Sequence, residues 1–392
     1  MISIAHTSQK TTDQALVCAA TVAEQYGFLP IESVMPEYGS QSRSKTIPQT
    51  TYVNPFENEL AKIMQSYVDH GHADLKEPTL IYQHGAFSGG KKKNAGNVLF
   101  GLHAIGLSHS IAEALLVKTA LATLEELGIT EYRVHVNSIG DRDSAARFTK
   151  ELTNFLRKHI NDIPANIRQT MKQDVSYAYD QLLKKQHELC SRAPTTVEFL
   201  TEPSRQHLRE VLEYLEVAQV EYELNPSLIG HHDCYSKTLF EIRAPGNSAD
   251  EEIVVYARGG RYDELSQRAF HEKVPAAGII FEYEKRGRLT KTLQKKKEQK
   301  PKFYFIQLGF ESRLRSLAII ETLRKARVPV YQTLGKDQLS AQLELARVLG
   351  IPYCVIMGQK EALERSVIVR NMDTCSQQIV AVDELPRYLK SL

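Results

Sequence analysis

The chain has 392 residues, of which 42% are hydrophobic and 24% charged, and its 49 Lys+Arg against 47 Asp+Glu leave a net charge of +2, with a pI near 8.1. At about 100–200 residues per domain that length implies two or three domains; the apolar fraction excludes long disorder, and the weak net charge leaves nucleic-acid contact to a local basic patch. Cys18, Cys190, Cys234, Cys354 and Cys375 are odd in number and never form a C-x-x-C pair, which argues against a disulfide framework or zinc site, and with no presequence-like start or apolar run of ~20 residues a cytoplasmic setting without a membrane is expected.

Leu16, Ala19, Ala20 and Ala23 recur at helical spacing and predict a helix over residues 11–26, stopped by Gly27. An extended segment over 28–35 follows, then an amphipathic helix near 57–70 and a strand at 79–83. Residues 88–96 read as a glycine- and lysine-rich loop, and 98–105 as a second strand. Ser110 and Glu113 match a capping box at the head of a long apolar helix ending at Leu127-Gly128. A strand at 132–137 precedes a mostly helical block from 143 to about 215, in which Leu208, Val211, Leu212 and Leu215 mark one buried stripe. Strands return at 238–243, 253–257 and 277–281, with Gly259 and Gly260 expected to break the chain between them.

Residues 285–302 are rich in Lys and Arg and end near Pro301, the composition of a linker. Beyond it, strands at 303–308, 328–331, 353–357, 366–371 and 378–382 alternate with helices, one carrying Leu339, Leu343, Ala346 and Leu349 on its inner face. That alternation predicts a small three-layer α/β domain with a largely parallel sheet.

Several segments carry a family resemblance. Ala257-Arg-Gly-Gly-Arg-Tyr-Asp-Glu-Leu265 resembles the G-G-R-Y-D segment of histidyl-tRNA synthetases; Asn137-Ser-Ile-Gly-Asp141 is similar to their N-S-L-G-D, and Thr238-Leu-Phe-Glu-Ile242 to their T-V-F-E-I. Met357-Gly-Gln-Lys-Glu361 and the Val-Arg-Asn-Met stretch near 369–372 resemble the anticodon-binding domain of that family. The resemblance implies an α+β class II synthetase catalytic domain, an antiparallel sheet flanked by helices with a helical insertion, followed by an anticodon-binding-like α/β domain. The expected division is 1–142 and 218–290 for the catalytic core, 143–217 for the insertion, 291–302 for the basic linker and 303–392 for the last domain. A homodimer, and tRNA contact through the C-terminal domain, are implied in the same way.

Enzymes of this plan join a carboxylate to the α-phosphate of ATP and pass the acyl group to tRNA, and arginines with magnesium offset the charge that gathers on the phosphates. The resemblance puts Ser88 where the motif 2 arginine should stand and Gly90 at the acidic position after it. Gly230-His-His-Asp-Cys-Tyr235 corresponds to the family's R-G-L-D-Y-Y, so its catalytic arginine is Gly230. In motif 3, Gly278-Ile-Ile-Phe-Glu-Tyr-Glu-Lys285 brings Glu282 in for a glycine beside ATP and Lys285 for an arginine. Lys91, Lys92, Lys93, Lys285 and Arg286 remain as phosphate or RNA contacts, though the lysine run equally fits a solvated loop, and ammonium groups lack the planar fork of a guanidinium.

For the amino-acid pocket, Tyr235 and Tyr262 match the tyrosines that line the histidine ring site and Asp233 is kept, whereas a glutamine and a glutamate of the family become Leu99 and His103. The family's R-P-E-G-T becomes Asn54-Pro-Phe-Glu-Asn58. Arg261 is a further pocket candidate, although Arg261 and Asp263 also suit a structural turn. The adjacent His231 and His232 would point to opposite faces of a strand, so no metal site is expected. The preferred expectation is a chain that has lost aminoacylation and binds tRNA or another RNA, a protein partner or a small ligand. A divergent but active histidine–tRNA ligase, with ATP and Mg as cofactors, and a regulatory subunit of ATP phosphoribosyltransferase are the alternatives.

Overall fold

The structure is a computed structural model that describes residues 11–36, 55–70, 78–86, 97–230, 234–245, 254–271, 274–283, 302–332, 334 and 338–392. Thr11 caps the first helix, α1 (Thr12–Gln25), its hydroxyl accepting from Gln14 N while the Gln14 side chain accepts from Thr11 N, and Gly27 at φ +90° ends it. The stretch expected to stay extended gives only β1 (Leu29–Pro30) before turning into α2 (Ile31–Val34). Pro30 fixes φ at −61°, and Met35 N donates to Ile31 O at 2.7 Å, which closes a helical turn.

In chain order there follow α3 (Pro55–Asp69), β2 (Thr79–Ala86), β3 (Val98–Ile105), α4 (Ile111–Glu126) and β4 (Arg133–Gly140). Then come α5 (Arg142–Lys158), α6 (Ala165–Met171), α7 (Val175–Lys184), α8 (Glu202–Val217), β5 (Tyr222–Leu224), β6 (Ser236–Arg243), β7 (Val255–Arg261), α9 (Asp263–Phe270) and β8 (Ala276–Tyr283). The eight strands form one sheet in the order β1-β2-β3-β8-β7-β6-β4-β5. Its six central strands are antiparallel, and only the short edge strands β1 and β5 pair in parallel.

β7 runs unbroken through Gly259 and Gly260, where the sequence suggested an interruption. The reason is crowding: a methyl group on Gly259 would lie 2.2 Å from Gly278 O, and one on Gly260 2.7 Å from Thr238 O. The glycines let the strands and their side chains approach, so they serve the sheet and do not end it. One face of this sheet is covered by α4, apolar all round and buried along most of its length, with α1 and α8 beside it. The opposite face, with Leu99, Ile280, Leu239, Tyr235 and Tyr262, packs against α3 and α9.

The C-terminal part contains β9 (Phe303–Gln307), α10 (Phe310–Lys325), β10 (Val330–Gln332), α11 (Leu339–Val348), β11 (Tyr353–Met357), α12 (Gln359–Glu364), β12 (Ser366–Asn371), β13 (Gln377–Ala381) and α13 (Leu385–Lys390). Its sheet, ordered β10-β9-β11-β12-β13, is mixed where a largely parallel one was expected: β10, β9 and β11 are parallel, but β12 and β13 run antiparallel. The last reversal is a tight turn in which Asn371 Oδ1 accepts from Asp373 N and Thr374 N, too short a link for a parallel crossover.

The two sheets share one apolar cluster, with Leu317, Ile320 and Leu323 of α10 joining Leu116 and Leu124 of α4. At its edge Tyr26 OH donates to Glu321, and Arg324 holds the same carboxylate through two bonds of 2.8 and 2.9 Å while reaching Glu126 at 3.0 Å. Gln332 Nε2 adds a bond of 3.1 Å to Tyr26 O. Burial would raise the Glu321 pKa, but the hydrogen bonds from Arg324 and Tyr26 bring it down to about 2, so the carboxylate stays charged.

Candidate functional site

Strand alternation puts Leu99, Gly101 and His103 of β3 on the face turned towards α3 and α9. The register continues the row across the sheet, His103 to Gly278 to Gly260 to Leu239. Two glycines therefore make a floor with no side chains of its own. His103 lies over one end, because a methyl group on Gly278 would sit 2.5 Å from its Nδ1 and one on Gly101 2.7 Å from its Nε2. Leu239 and Tyr235 cover the other end, at 2.8 and 3.1 Å from a methyl group on Gly260.

His103 and Tyr262, which the sequence assigned to one pocket, do meet. Nδ1 of His103 lies 3.1 Å from Tyr262 OH, and the rings meet edge to face with centroids 6.2 Å apart. Both side chains are fully buried. Burial lowers the His103 pKa from 6.5 to about 3, so the ring is neutral, and burial raises that of Tyr262, so its hydroxyl keeps its proton and can donate to Nδ1. Nε2 of His103 is buried without a hydrogen-bond partner among the described residues, an arrangement that costs about 1–3 kcal/mol.

Tyr235 is also buried, its pKa raised chiefly by burial and further by nearby Glu57. Gly230, at the position of the family arginine, packs directly on it. A methyl group there would lie 2.7 Å from Tyr235 Cδ2 and 3.2 Å from Leu239 Cδ1, so a longer side chain has no room unless the tyrosine moves. The charges near Tyr235 are Glu57 on α3, which is buried, and Arg258 on β7. Arg258 is bound to Glu241, Nε to Oε1 at 2.6 Å, and Glu241 also accepts from Arg243 Nε at 2.5 Å. Burial would raise the pKa of Glu241, but Arg258 and Arg243 lower it.

Arg261 does not belong to the pocket. It donates from Nε and Nη2 to Glu113 at 2.7 Å each, from Nη1 to Leu107 O at 2.8 Å and Asp263 at 3.3 Å, and from Nη2 to His109 O at 3.2 Å. All its donors are spent inside the fold, and no fork is left for a substrate. Glu113 is shared with His207 Nε2 at 2.6 Å. Its pKa, which burial would raise, is carried well below the usual carboxylate range by Arg261 and His207. The capping box expected from Ser110 and Glu113 is therefore absent: Ser110 makes no cap bond and donates to Glu210 at 2.5 Å. A guanidinium outcompetes a backbone N–H for a buried carboxylate.

A cleft of about 490 Å³ opens between the first turns of α5, with Arg142, Thr149 and Lys150, and the start of β6, with Tyr235 and Ser236. Tyr235 thus borders this cleft, whereas His103 and Tyr262 do not line it. Ser88, Gly90, Lys91, Lys92, Lys93, His231, His232, Asp233, Lys285 and Arg286 lie outside the described residues. Among the described residues no three His, Cys, Asp or Glu side chains are grouped to hold a metal ion, and no helix is long and apolar enough to cross a membrane.

Sequence reading missed Glu57, Glu241, Arg258 and the Glu113–His207 pair. Alternation on β6 and β7 was the available signal for Glu241 and Arg258, which face each other in register. No local pattern reports Glu113 and His207, which are 94 residues apart.

The sequence model described as Histidyl-tRNA synthetase matches residues 90–285, and that described as Anticodon binding domain matches residues 302–392. The chain is 26% identical to a histidine–tRNA ligase of Dehalococcoides mccartyi over 336 residues, covering 83% of this chain and 78% of the relative. It is 30% identical to that of Fervidobacterium nodosum over 284 residues, 71% of this chain and 66% of the relative. The apo histidyl-tRNA synthetase of S. aureus aligns over 100% of both chains, with 19% identity and a TM-score of 0.49. With the class II sheet and the C-terminal α/β unit in place, and the first family model spanning half of the 392 residues, the chain belongs to the histidyl-tRNA synthetase family.

Proposed function

We propose that this chain is a member of its family that has lost amino-acid activation and acts by binding, as a cytoplasmic homodimer that engages tRNA through the C-terminal domain. The division at residues 143, 218, 291 and 303 is part of this reading, with the insertion and the basic linker flanking the core.

The observation that carries it is the packing around Gly230, where even a methyl group would meet Tyr235 Cδ2 at 2.7 Å and Leu239 Cδ1 at 3.2 Å, so that an arginine there would have to displace the tyrosine. The nearby Arg258 is committed to Glu241, and Arg261 is committed to Glu113. Loss of one donor to a developing anion costs about 10²–10³ in rate; the sequence replaces three such positions, at Ser88, Gly230 and Lys285. The match of residues 302–392 to an anticodon-binding domain supports tRNA as the retained partner.

ATP–pyrophosphate exchange with histidine tests the loss, beside tRNA binding by filter retention. Exchange within about 10²-fold of an ordinary synthetase turnover would refute it and favour the divergent ligase, with ATP and Mg as cofactors and Lys91, Lys92, Lys93, Lys285 or Arg286 standing in for the missing arginines. Absence of tRNA binding would remove the retained partner.

A further inference from the structure

The cleft of about 490 Å³ beside α5 lies apart from the glycine floor, and its size suits a small organic molecule. One wall is a face of α5 on which Arg142, Thr149 and Lys150 recur at helical spacing, with Ala145 leaving room between them. Both cations are exposed, and neither is ion-paired with another described residue. Asp141 spends its carboxylate on the helix cap, accepting from Ser144 N at 2.9 Å, from Ser144 Oγ at 2.8 Å and from Thr201. Glu264, in the first turn of α9, is the other carboxylate on the wall. Opposite α5 the sheet is bulged at two adjacent places. The register shifts between Ser138 and Gly140 on β4 and between Ser236 and Leu239 on β6, where Lys237 takes φ +53°. Bulges re-aim side chains, and here Ser236 comes to line the cleft. Its Oγ is buried with no hydrogen-bond partner among the described residues, a state that costs stability until an acceptor arrives.

We propose that this cleft binds a small hydroxylated organic anion, with its phosphate or carboxylate group on Arg142 and Lys150 and its body against Ser236 and Tyr235. Two cations on the helix against one uncommitted wall carboxylate favour an anion over a cation. The cations stand about 12 Å apart along the helix axis, close enough for their long side chains to meet on one anionic group. The hydroxyl of Ser236 donates to a ligand oxygen, and Glu264 accepts from a ligand hydroxyl. The site shares no residue with the contact between His103 and Tyr262, so it stands whether or not amino-acid activation is lost.

The test is a thermal shift of the full chain with ribose 5-phosphate, gluconate and ribose, followed by isothermal titration. The Tm should rise with the logarithm of anion concentration once this exceeds Kd, and uncharged ribose should leave it unmoved. A response to ribose 5-phosphate alone assigns the group to phosphate, a response to gluconate alone assigns it to carboxylate, and each supports the site. Arg142→Gln combined with Lys150→Gln should weaken binding by about tenfold or more; both residues are exposed, so the variant folds. Ser236→Ala should weaken binding by about 2–10-fold without lowering the Tm of the free chain, whereas a purely structural serine would lower it. No shift with either anion, an equal shift with ribose, or a shift that survives the double substitution overturns the proposal. If only a single-stranded oligonucleotide binds and loses affinity in the double variant, the face is a nucleic-acid surface and the proposal falls. Neither ATP nor histidine is present, so failure here is read separately from that of the exchange assay.

Discussion

Replacing His103 by leucine should flatten the acid limb of the stability curve. Burial holds the pKa of His103 at about 3 in the folded chain against 6.5 in water. A base whose folded pKa lies below its unfolded value binds fewer protons when folded. Its contribution is therefore complete above about pH 6.5 and is lost as the pH falls from there towards about 3. Within that window the slope approaches 1.4 kcal/mol per pH unit, roughly one proton, so moving wild type from about pH 7.5 to about pH 5 should remove on the order of 2 kcal/mol through this group alone. Urea denaturation at a series of pH values measures it, and the difference between wild type and His103→Leu cancels the titration of the carboxylates. Parallel curves for the two proteins would refute the reasoning, because they would mean that the imidazole reaches water or a counter-charge.

Other substitutions probe the frame. Arg261→Met leaves Glu113 buried with only His207 as a side-chain partner and should destabilise by about 3–5 kcal/mol, read from the denaturation midpoint. A loss below about 1 kcal/mol would show that the pair is hydrated. Gly259→Ala drives a methyl group to 2.2 Å from Gly278 O and should prevent recovery of folded protein, checked by circular dichroism and solubility. Glu321→Gln weakens the contact with Tyr26 and Arg324 and should lower stability by about 1–3 kcal/mol at neutral pH. Because the folded pKa of Glu321 is depressed to about 2 from 4.5, the wild-type advantage should be complete above about pH 4.5 and disappear as the pH falls towards about 2. An unchanged difference across that range would contradict the charged state assigned to this carboxylate.

Elements with a clear period were legible in the sequence. Strand β3 and the apolar helix α4 follow from runs of residues whose burial needs no distant partner. The glycines of β7 were misread because a glycine pair signals a break in isolation, and only the facing Gly278, Thr238 and Leu239 reveal that it serves close approach. Ser110-x-x-Glu113 failed for a similar reason: the motif is local, but Arg261 lies 148 residues away and wins the carboxylate. At the site, the family resemblance named His103 and Tyr262 as pocket residues but not the contact between them. The burial that neutralises His103, and the wedge of Tyr235 against Gly230, depend on packing that no spacing encodes.

Trapping of the activated intermediate bears most directly on the central claim that this synthetase framework no longer activates an amino acid. The chain would be mixed with radiolabelled histidine, ATP, magnesium and pyrophosphatase, then passed rapidly through a desalting column, and the adenylate retained per chain counted. With activation lost, none above the level of a denatured control is expected. A stoichiometric histidyl-adenylate would contradict it.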